Sequence, residues 1–475
     1  MKRSGKARPP APPIVVKEPA ATTPDSSYSA TFLGAVLRLL QGLLLLGVLT
    51  GLILAYLLLT RFGFGSEVPP SFLSSEFRAQ APLLPESALE PVLAAPVPLG
   101  NVAVSAAGTV FFSFHPFFNR VNKLGIFVGK VTTQPTSFVA FPSLAYQKKI
   151  ISVLALRVDA QDRLWLLDHC EMGFLCQPSL VAFNASSDEA SDPEPQPIVS
   201  FSFSRAVAPR GSFLNDFQVD PGGNFVYLTD TSTINGQPCL VVVSLGDGTA
   251  HRLLQGHASM LGGSYFLRFG GVVTSLLGTI GFNTGVDGLS LDRKGAYLFF
   301  SAVTSSDMYR IEVGTLQHYC RAGTSDETLR RLNAQLPGRV VRVSSGKPVS
   351  DGQSCDAAGN IWLTAFSENA LAVLKPRHGG LHELAQGDSG GDEAFSLPRK
   401  VVVSEHLRWP DGLSFGPDGL YVTESALHLK MFGGGRLVKG QTFEEANGPF
   451  YIYRLSTESL RAALGDDYVL PAAGH

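Results

Sequence analysis

The chain has 475 residues, of which 45% are hydrophobic and 16% are charged, and its formal net charge is −2 at pH 7. This length admits one large domain or several small ones, and the near-neutral balance excludes a global field that would favour nucleic acid as a partner. Glycine (49 residues) and proline (31 residues) are abundant, which is typical of a protein rich in strands and turns.

The N-terminal part is predicted to contain a disordered cytosolic tail over residues 1–30 and a transmembrane signal-anchor over residues 33–60. The tail is rich in Pro, Ala, Ser and Thr, a composition that does not form a core. The run from Leu39 to Thr60 is uncharged and long enough to cross a hydrocarbon core about 30 Å thick. The basic residues before it predict a type II membrane protein whose main part is lumenal or extracellular. A cleaved signal peptide, and hence a secreted protein, is the alternative.

A hairpin pattern recurs six times beyond this segment. Each copy has a polar residue, an alternating apolar strand, a D-x-x-G-like turn and a second apolar strand; the copies begin near residues 101, 153, 215, 287, 351 and 411. A hairpin that repeats at roughly 60 to 70 residues is typical of a radial β-propeller. We therefore predict an all-β fold, a six-bladed β-propeller over residues 97–460, preceded by a stalk at 61–96 and followed by a C-terminal tail at 461–475.

Several segments between the hairpins carry their own predictions. Segment 251–284 is longer than a hairpin connection needs and is predicted to form a helical excursion or lid. Segment 323–338 has apolar positions at helical spacing and is predicted to be a short surface helix. A single helical turn is expected around residues 86–90, and the strand in YIYRLSTESL is expected to close the ring.

The cysteines and one glycosylation motif suit a lumenal or extracellular domain. Cys170 and Cys176 are six residues apart and could close a small loop, whereas the other three of the five cysteines are scattered. An odd number leaves at least one thiol unpaired within the chain or paired between chains. Asn184 begins the sequon Asn-Ala-Ser, so a carbohydrate could be attached there.

The first residue of the repeat is polar in four consecutive copies: Asn215, Asp287, Asp351 and Asp411. Equivalent positions of a propeller converge on one axis, so these side chains are predicted to line one level of a ligand-binding channel. Oxygen-only ligands in a ring suit Ca²⁺. Alternatively, an aspartate before glycine at the start of a strand caps a turn by binding its own backbone.

Other polar residues are weaker candidates for catalysis. His115 and His169 follow the second strands of the first two copies, and each could act as a general base at neutral pH. Asp216 is a candidate base or substrate contact. The residues that end other second strands are predicted to lie on the opposite face or in the outer channel: Thr229, Asp230, Thr304, Ser305, Glu368 and Glu424.

Four segments resemble the yellow / major royal jelly protein family, which includes insect dopachrome-converting proteins. They are RLWLLD (163–168), LNDFQVDPGGNFVYLTDTS (214–232), DGLSLDRKGAYLFFSAVTSSDMYRI (287–311) and WPDGLSFGPDGLYVTES (409–425). The resemblance implies a six-bladed propeller, usually secreted. For function it implies melanin-pathway isomerisation in some members and nutritive or binding roles in others.

The chain more distantly resembles calcium-dependent propeller hydrolases, namely gluconolactonases, senescence marker proteins and paraoxonases. The shared elements are N-D-x-x-x-D-P-x-G in the third copy and P-D-G-L in the last. By this resemblance Asn215, Asp287 and Asp411 match positions of metal ligands, which implies Ca²⁺ as a cofactor.

Three functions follow as hypotheses. The first is a membrane-anchored propeller that binds or converts a small molecule in its channel, by isomerisation of the dopachrome type. The second is a calcium-dependent lactonase or esterase. The third is a non-catalytic propeller that binds a small ligand or a protein; fold alone does not decide among them. The oligomeric state stays open.

Overall fold

The computed structural model describes the following residues: 26–62, 64–67, 75–133, 136–186, 194–232, 234–269, 272–274, 280–320, 326–377, 394–431, 447–466 and 468–470. The predicted disordered tail lies largely outside them. The chain divides into two compact units, residues 1–60 and residues 61–475.

The first unit contains a helix that begins at Ser26 and ends at Phe62. Within it, Val36–Tyr56 has a mean hydropathy of 2.1 and is long and apolar enough to cross a membrane. A signal sequence near an N-terminus has the same properties.

The second unit is a six-bladed β-propeller, as predicted: six antiparallel sheets of four strands. The first strand of each blade contacts the first strands of both neighbouring blades, so six inner strands surround a central channel. From the channel outward, blade one consists of Leu99–Val104, Val110–Phe114, Val128–Thr133 and Thr136–Ala140, and blade two of Val153–Val158, Arg163–Asp168, Ser179–Asn184 and Val199–Ser202. Blade three consists of Leu214–Val219, Phe225–Asp230, Cys239–Ser244 and Thr249–Leu253, and blade four of Val286–Leu291, Tyr297–Ala302, Asp307–Glu312 and Val341–Ser345. Blade five consists of Gln353–Cys355, Ile361–Ala365, Ala370–Leu374 and Arg399–Val403, and blade six of Pro410–Gly416, Gly419–Glu424, Phe450–Ser456 and Leu89–Ala95.

The ring is closed by both ends of the propeller sequence. Strand Phe450–Ser456, predicted as the closing strand, is the third strand of blade six, and Leu89–Ala95 pairs with it as the fourth. The segment 61–96 is therefore not only a stalk, and the ring begins before residue 97. The sequence pattern did not reveal this because a single outer strand carries no hairpin signature.

Helices are few and short in the described part of the propeller unit. They are Ser75–Ala79, Cys170–Gly173, Val313–Gln317, Asp326–Gln335, His428–Met431 and Thr457–Leu464. Short 3₁₀ turns occupy Glu86–Ala88, Pro116–Phe118, Tyr146–Lys149, Ala258–Met260, His318–Cys320, Leu336–Arg339 and Phe366–Glu368.

The helix predicted within 323–338 is present, but the helical excursion predicted over 251–284 is wrong. Apart from one 3₁₀ turn, the described part of that segment contributes strands Tyr265–Phe269 and Val272–Thr274 to a small sheet with Ser66–Glu67. Aromatic and β-branched residues dominate these strands, which explains the preference for extended backbone.

Apolar side chains from adjacent blades pack against each other to form the core. Trp165 of blade two and Phe217 of blade three are buried in one cluster, and Trp362 of blade five meets Phe415 of blade six edge to face, with ring centroids 6.2 Å apart. Burial of a large apolar side chain contributes about 1.5–3 kcal/mol, so these contacts fix each blade relative to the next.

The aspartates in the hairpin turns of blades two to five have a structural role. The Asp220 carboxylate accepts hydrogen bonds from the backbone N–H groups of Gly222, Asn224 and Phe225. Asp356 does the same for its own turn and also accepts from Trp362 Nε1 at 2.9 Å. These turns lie at the end of the propeller opposite to the start of the inner strands; we call the two ends the far end and the pocket end.

Candidate active site in the central channel

Inner strands begin with a β-bulge, a local insertion that redirects side chains. The register shifts between Leu214 and Phe217 in blade three, and blades one, two, four and six shift at the same place. The first bulge residues are Gly100, Leu154, Asn215, Asp287 and Asp411, and Asp351 holds the corresponding position before Gln353–Cys355. The polar residues predicted at one level thus come from one repeated distortion.

The residue after each of the three aspartates must be glycine, because the neighbouring blade leaves no room for a Cβ atom. A Cβ atom on Gly352 would lie 1.9 Å from the backbone oxygen of Asp411, and one on Gly288 would lie 2.7 Å from that of Asp351. Glycine is therefore the residue that allows the inner strands to approach. The side chain of the preceding aspartate takes no part in this close contact between backbones.

A buried hydroxyl holds the bulges of adjacent blades together. Thr423 Oγ1 accepts a hydrogen bond from the Gly412 N–H at 2.9 Å and donates one to the carbonyl oxygen of Gly100 at 2.6 Å. Ser113 repeats this link from blade one to Leu154 of blade two, donating at 2.6 Å. Blade three uses Thr229 in the same way. These bonds fix the level at which the acidic side chains sit.

A pocket opens at the pocket end of the channel, and it joins an aromatic wall to the acidic residues. Its lining combines Phe117, Phe213, Phe282 and Trp409 with His115, Leu154, Asn215, Asp287, Asp351 and Asp411, among others. It contains about 530 Å³ of space not filled by protein atoms, part of it open to solvent. Asn215, Asp287, Asp351 and Asp411, predicted to share a ligand-binding channel, therefore meet in one pocket.

Asp287 is buried, Asp351 and Asp411 are half-buried, and the first two are hydrogen-bonded to other side chains. Asp287 accepts a hydrogen bond from Asn215 Nδ2 at 2.5 Å and is also bonded to the Asp351 carboxyl group. Asp351 accepts from Trp409 Nε1 at 2.7 Å. Two neighbouring carboxyl groups can bond in this way only if they share a proton. Asp287 and Asp351 thus bind partners outside their own turns, unlike the turn caps of the alternative interpretation.

Burial and mutual repulsion raise the pKa values of this group. Burial raises the pKa of Asp287 well above its ordinary value, and the nearby Asp351 raises it further. The pKa of Asp411 is also well raised, by burial and then by the charges of Asp351 and Asp216. Burial likewise raises the pKa of Asp351, against the hydrogen bond from Trp409. The site consequently holds protons at higher pH than ordinary carboxyl groups do.

Asp216 belongs to an ion pair rather than to the pocket wall. Its carboxylate lies 2.6 Å from Arg157 Nη2, and both side chains are nearly buried. Arg157 also donates to the backbone oxygens of Phe217 and Leu413, at 3.2 and 2.9 Å. One guanidinium thus joins blades two, three and six across the channel beneath the pocket. Burial raises the pKa of Asp216, and the charge of Arg157 opposes this rise; a role of Asp216 as a base or substrate contact stays a prediction.

The two histidines are unsuited to act as general bases at neutral pH. Burial lowers the pKa of both to about 3. Nδ1 of His115 accepts a hydrogen bond from the Phe117 N–H, and Nδ1 of His169 accepts from the Met172 N–H. Each neutral ring therefore carries its proton on Nε2. His115 lines the pocket as a hydrogen-bond donor, whereas His169 is not part of the pocket lining.

Trp409 combines a pocket position with a strained backbone. Its φ of +56° is in the left-handed region, which a bulky residue rarely adopts. Its ring stacks on Phe366 with centroids 4.2 Å apart and meets Phe282 edge to face at 5.8 Å. Strain of this kind persists only where the surroundings enforce it and is concentrated at functional sites.

The residues that end the second strands lie at the pocket end, so of the two predicted placements the one on the opposite face is wrong. Antiparallel pairing sets Asp230 opposite Leu214 and Glu424 opposite Pro410, at the start of the inner strands. Asp230 pairs with Arg252 at 2.5 Å. Glu424 binds Arg408, and burial raises its pKa to about 7. These ion pairs hold the connections around the pocket.

Sequence reasoning missed Arg157, Trp409 and Lys347. Arg157 is the sole basic residue in the six inner strands, and that isolation could have identified it. Lys347 is buried; its Nζ donates to Ser350 Oγ at 3.0 Å, and burial lowers its pKa to about 7. Its sequence context, SSGKPVS, gave no indication of burial.

The donor chemistry of the pocket suits calcium, because three carboxyl groups and one amide offer oxygen ligands only. The arrangement of these side chains suits calcium less well than their chemistry does. Asp287 and Asp351 bond to each other, and the Asn215 amide presents nitrogen to Asp287. Within the described residues, no group of three or more His, Cys, Asp or Glu side chains is arranged to hold a metal ion.

The remaining predicted features lie away from the pocket lining. Cys170 and Cys176 form a disulfide with Cα atoms 5.4 Å apart, whereas Cys239, Cys320 and Cys355 are free and buried. Asn184 is exposed at the end of the third strand of blade two. Glycosylation of Asn184 stays a prediction.

Comparisons with known proteins find one matching family and several similar solved structures. The sequence model of the family described as major royal jelly protein matches residues 151–383. Solved structures with the same fold include regucalcin, a calcium-binding protein from Agrobacterium tumefaciens (12% identity, 79% of this chain and 95% of that chain, TM-score 0.43). They also include a gluconolactonase from Xanthomonas campestris (12%, 77% and 89%, 0.41) and a luciferin-regenerating enzyme (12%, 77% and 94%, 0.43). The search of curated proteins finds no match.

Proposed function

Because the sequence model of the major royal jelly protein family matches residues 151–383, we propose that this chain is a membrane-anchored propeller that isomerises a small molecule in its channel. The helix Val36–Tyr56 would supply the anchor, with the propeller on the lumenal or extracellular side. The substrate would be an aromatic or conjugated carbonyl compound, such as an oxidised catechol, held between aromatic rings.

One observation carries this proposal: an aromatic pocket contains two neighbouring carboxyl groups, Asp287 and Asp351, whose pKa values are both raised by burial. Isomerisation of an oxidised catechol removes a proton from carbon and delivers one to oxygen. The carboxylate form of Asp351 would accept the proton from carbon, while the carboxyl form of Asp287 would donate to the carbonyl oxygen. A proton that passes back through the hydrogen bond between them restores the site. Raised pKa values suit this exchange, because an acid–base group works best with a pKa near the operating pH.

Two neighbouring residues would position the substrate. His115 would offer its Nε2–H to the substrate oxygen, since Nδ1 is occupied by the Phe117 N–H. Trp409 would stack against the conjugated ring while its Nε1–H keeps Asp351 in place. Neither residue would transfer a proton in this scheme.

The test is a screen of the full-length chain against aminochromes and related quinone methides, followed by absorbance. We expect Asp287→Asn to reduce kcat/KM by at least about 100-fold, the usual contribution of acid–base catalysis. Asp247→Asn removes an exposed carboxylate from a far-end turn of blade three and should leave activity unchanged. Equal activity of the parent and Asp287→Asn would exclude these carboxyl groups from the reaction.

A second candidate function, calcium-dependent hydrolysis of a lactone or ester, is favoured by the all-oxygen donor set. Asn215, Asp287 and Asp411, with Asp351, would hold the ion, which would polarise the carbonyl group of the substrate. Calcium at 100 times its Kd would stabilise the chain by about 2.7 kcal/mol. A melting temperature that calcium and chelator leave unchanged would exclude this function. Ligand-induced stabilisation without turnover would instead favour a non-catalytic binding protein.

A further inference from the structure

The chain reaches the propeller at its pocket end. Ser66 pairs with Tyr265 in a parallel bridge, and its N–H donates to the Ser264 oxygen at 3.1 Å. Phe64 forms an antiparallel bridge with Ile280. Tyr265 is also bonded to Phe282, with backbone N···O distances of 3.0 and 2.8 Å, and Phe282 lines the pocket. One strand therefore separates the arriving segment from the pocket wall.

The covalent chain limits how far this end can be from a membrane. The apolar span ends at Tyr56, and Ser66 follows ten residues later. Ten residues extend at most about 35 Å, and any helical part shortens that reach. The segment that follows the apolar span thus joins the propeller at the pocket end.

Exposed apolar side chains are concentrated at the same end. Outside the first helix, the described residues include twelve exposed large apolar side chains. Eight belong to the arriving segment or to connections at the pocket end: Phe64, Leu124, Leu144, Phe174, Leu175, Ile234, Leu261 and Met431. The other four are Val139, Ile198, Leu397 and Val469. Scattered exposed apolar residues are normal, but concentration around one opening indicates an interaction surface.

The charges on these connections are mainly basic. The exposed cationic residues described there are Arg120, Lys123, Lys148, Lys149, Arg205, Arg210 and Lys430. Glu405 is the one exposed acidic residue in the described parts of the same connections, although Lys149 lies 4.0 Å from Glu194 of another loop. Apolar tips among basic side chains match an interface of acyl chains and phosphate groups.

We propose that the pocket end of the propeller docks on the phospholipid surface of the bilayer that holds the apolar span, so that a lipid-soluble ligand enters the pocket from the membrane. This inference rests on the membrane anchoring in the proposed function, but not on the isomerase chemistry. Apolar tips insert among the lipid headgroups while lysine and arginine side chains contact phosphate. The far end, with its capped turns, stays in water.

The test compares two isoleucines of similar exposure at opposite ends of adjacent blades. Ile234 is 54% exposed in a pocket-end connection of blade three, and Ile198 is 58% exposed in a far-end connection of blade two. The full-length variants Ile234→Cys and Ile198→Cys are labelled with a small fluorophore and inserted into nanodiscs that contain phospholipids with nitroxide near the headgroup. The three free native cysteines are buried. The parent chain, treated with the same fluorophore, therefore measures how much label these native cysteines take up.

We expect loss of fluorescence for the label at position 234 and little loss at position 198. Docking would be overturned, and anchoring left intact, if the chain co-purified with the discs but the two labels lost fluorescence equally or not at all. Chain that does not enter the discs would overturn the anchoring and docking together. Thermal unfolding of each labelled variant must match the parent, so that a loss of fluorescence reports position and not misfolding.

Discussion

Gly352→Ala should destabilise the propeller strongly, because glycine is the residue that lets blades five and six meet. The new Cβ would lie 1.9 Å from the Asp411 carbonyl oxygen, whereas ordinary contact begins near 3.4 Å. A shift of about 1.5 Å must come from the backbones of two inner strands, and overpacking of this kind costs about 3 kcal/mol. The same change at Gly288 meets an oxygen at 2.7 Å and should cost about 1–2 kcal/mol.

The assay is equilibrium urea unfolding of the full-length chain in detergent, followed by tryptophan fluorescence. Gly246→Ala is the matched control: nothing lies within 4 Å of a Cβ atom at that position. Its stability should change by no more than about 0.5 kcal/mol. The expected order of destabilisation is Gly352, then Gly288, then Gly246. If Gly352→Ala were as stable as Gly246→Ala, steric closure between the bulges would not explain the Asp-Gly repeat.

Three further changes test the electrostatics and the cross-links. Asp411→Asn should gain stability relative to the parent as the pH rises, so that the difference in unfolding free energy is larger at pH 8 than at pH 5. The reason is that the pKa of Asp411 is raised in the folded state, so the parent loses stability as the pH rises through that pKa. A difference that does not change with pH would argue against this. Arg157→Met should cost about 3–5 kcal/mol because it leaves Asp216 buried without its partner, and Asp216→Asn in the same chain should recover part of this loss. Cys170→Ser should cost about 2 kcal/mol from the six-residue loop that the disulfide with Cys176 closes; an unchanged melting temperature would contradict this.

The sequence was sufficient to predict the blades because their determinants are local. The alternation of apolar and polar residues determines each strand, and an aspartate such as Asp220 stabilises its own turn. Both depend on residues close together in the sequence, and the hairpin pattern occurs six times. The positions of Asp287, Asp351 and Asp411 followed because equivalent residues occupy equivalent levels. The sequence could not show that their carboxyl groups would share hydrogen bonds, since that depends on contacts between blades.

Other features depend on residues far apart in the chain. The ionisation of His115 is decided by complete burial and by the Phe117 N–H, neither of which a histidine after a strand reveals. Arg157 reaches the carbonyl oxygen of Leu413, 256 residues away. Trp409 looks in the sequence like an ordinary apolar residue before the last hairpin, yet in the structure its backbone is left-handed and its Nε1–H donates to Asp351. Contacts of this kind have no periodic pattern from which to predict them.

Ring closure gives the propeller a particular order of events during synthesis. Strand Leu89–Ala95 emerges early, but its partner Phe450–Ser456 is translated about 355 residues later. At 5–20 residues per second this delay is on the order of tens of seconds. Throughout it, the nascent ring has two open sheet edges, which are surfaces on which chains aggregate. Truncation before residue 456 should therefore yield an aggregating product rather than a smaller propeller, and folding in the cell should depend on chaperones that act until translation ends.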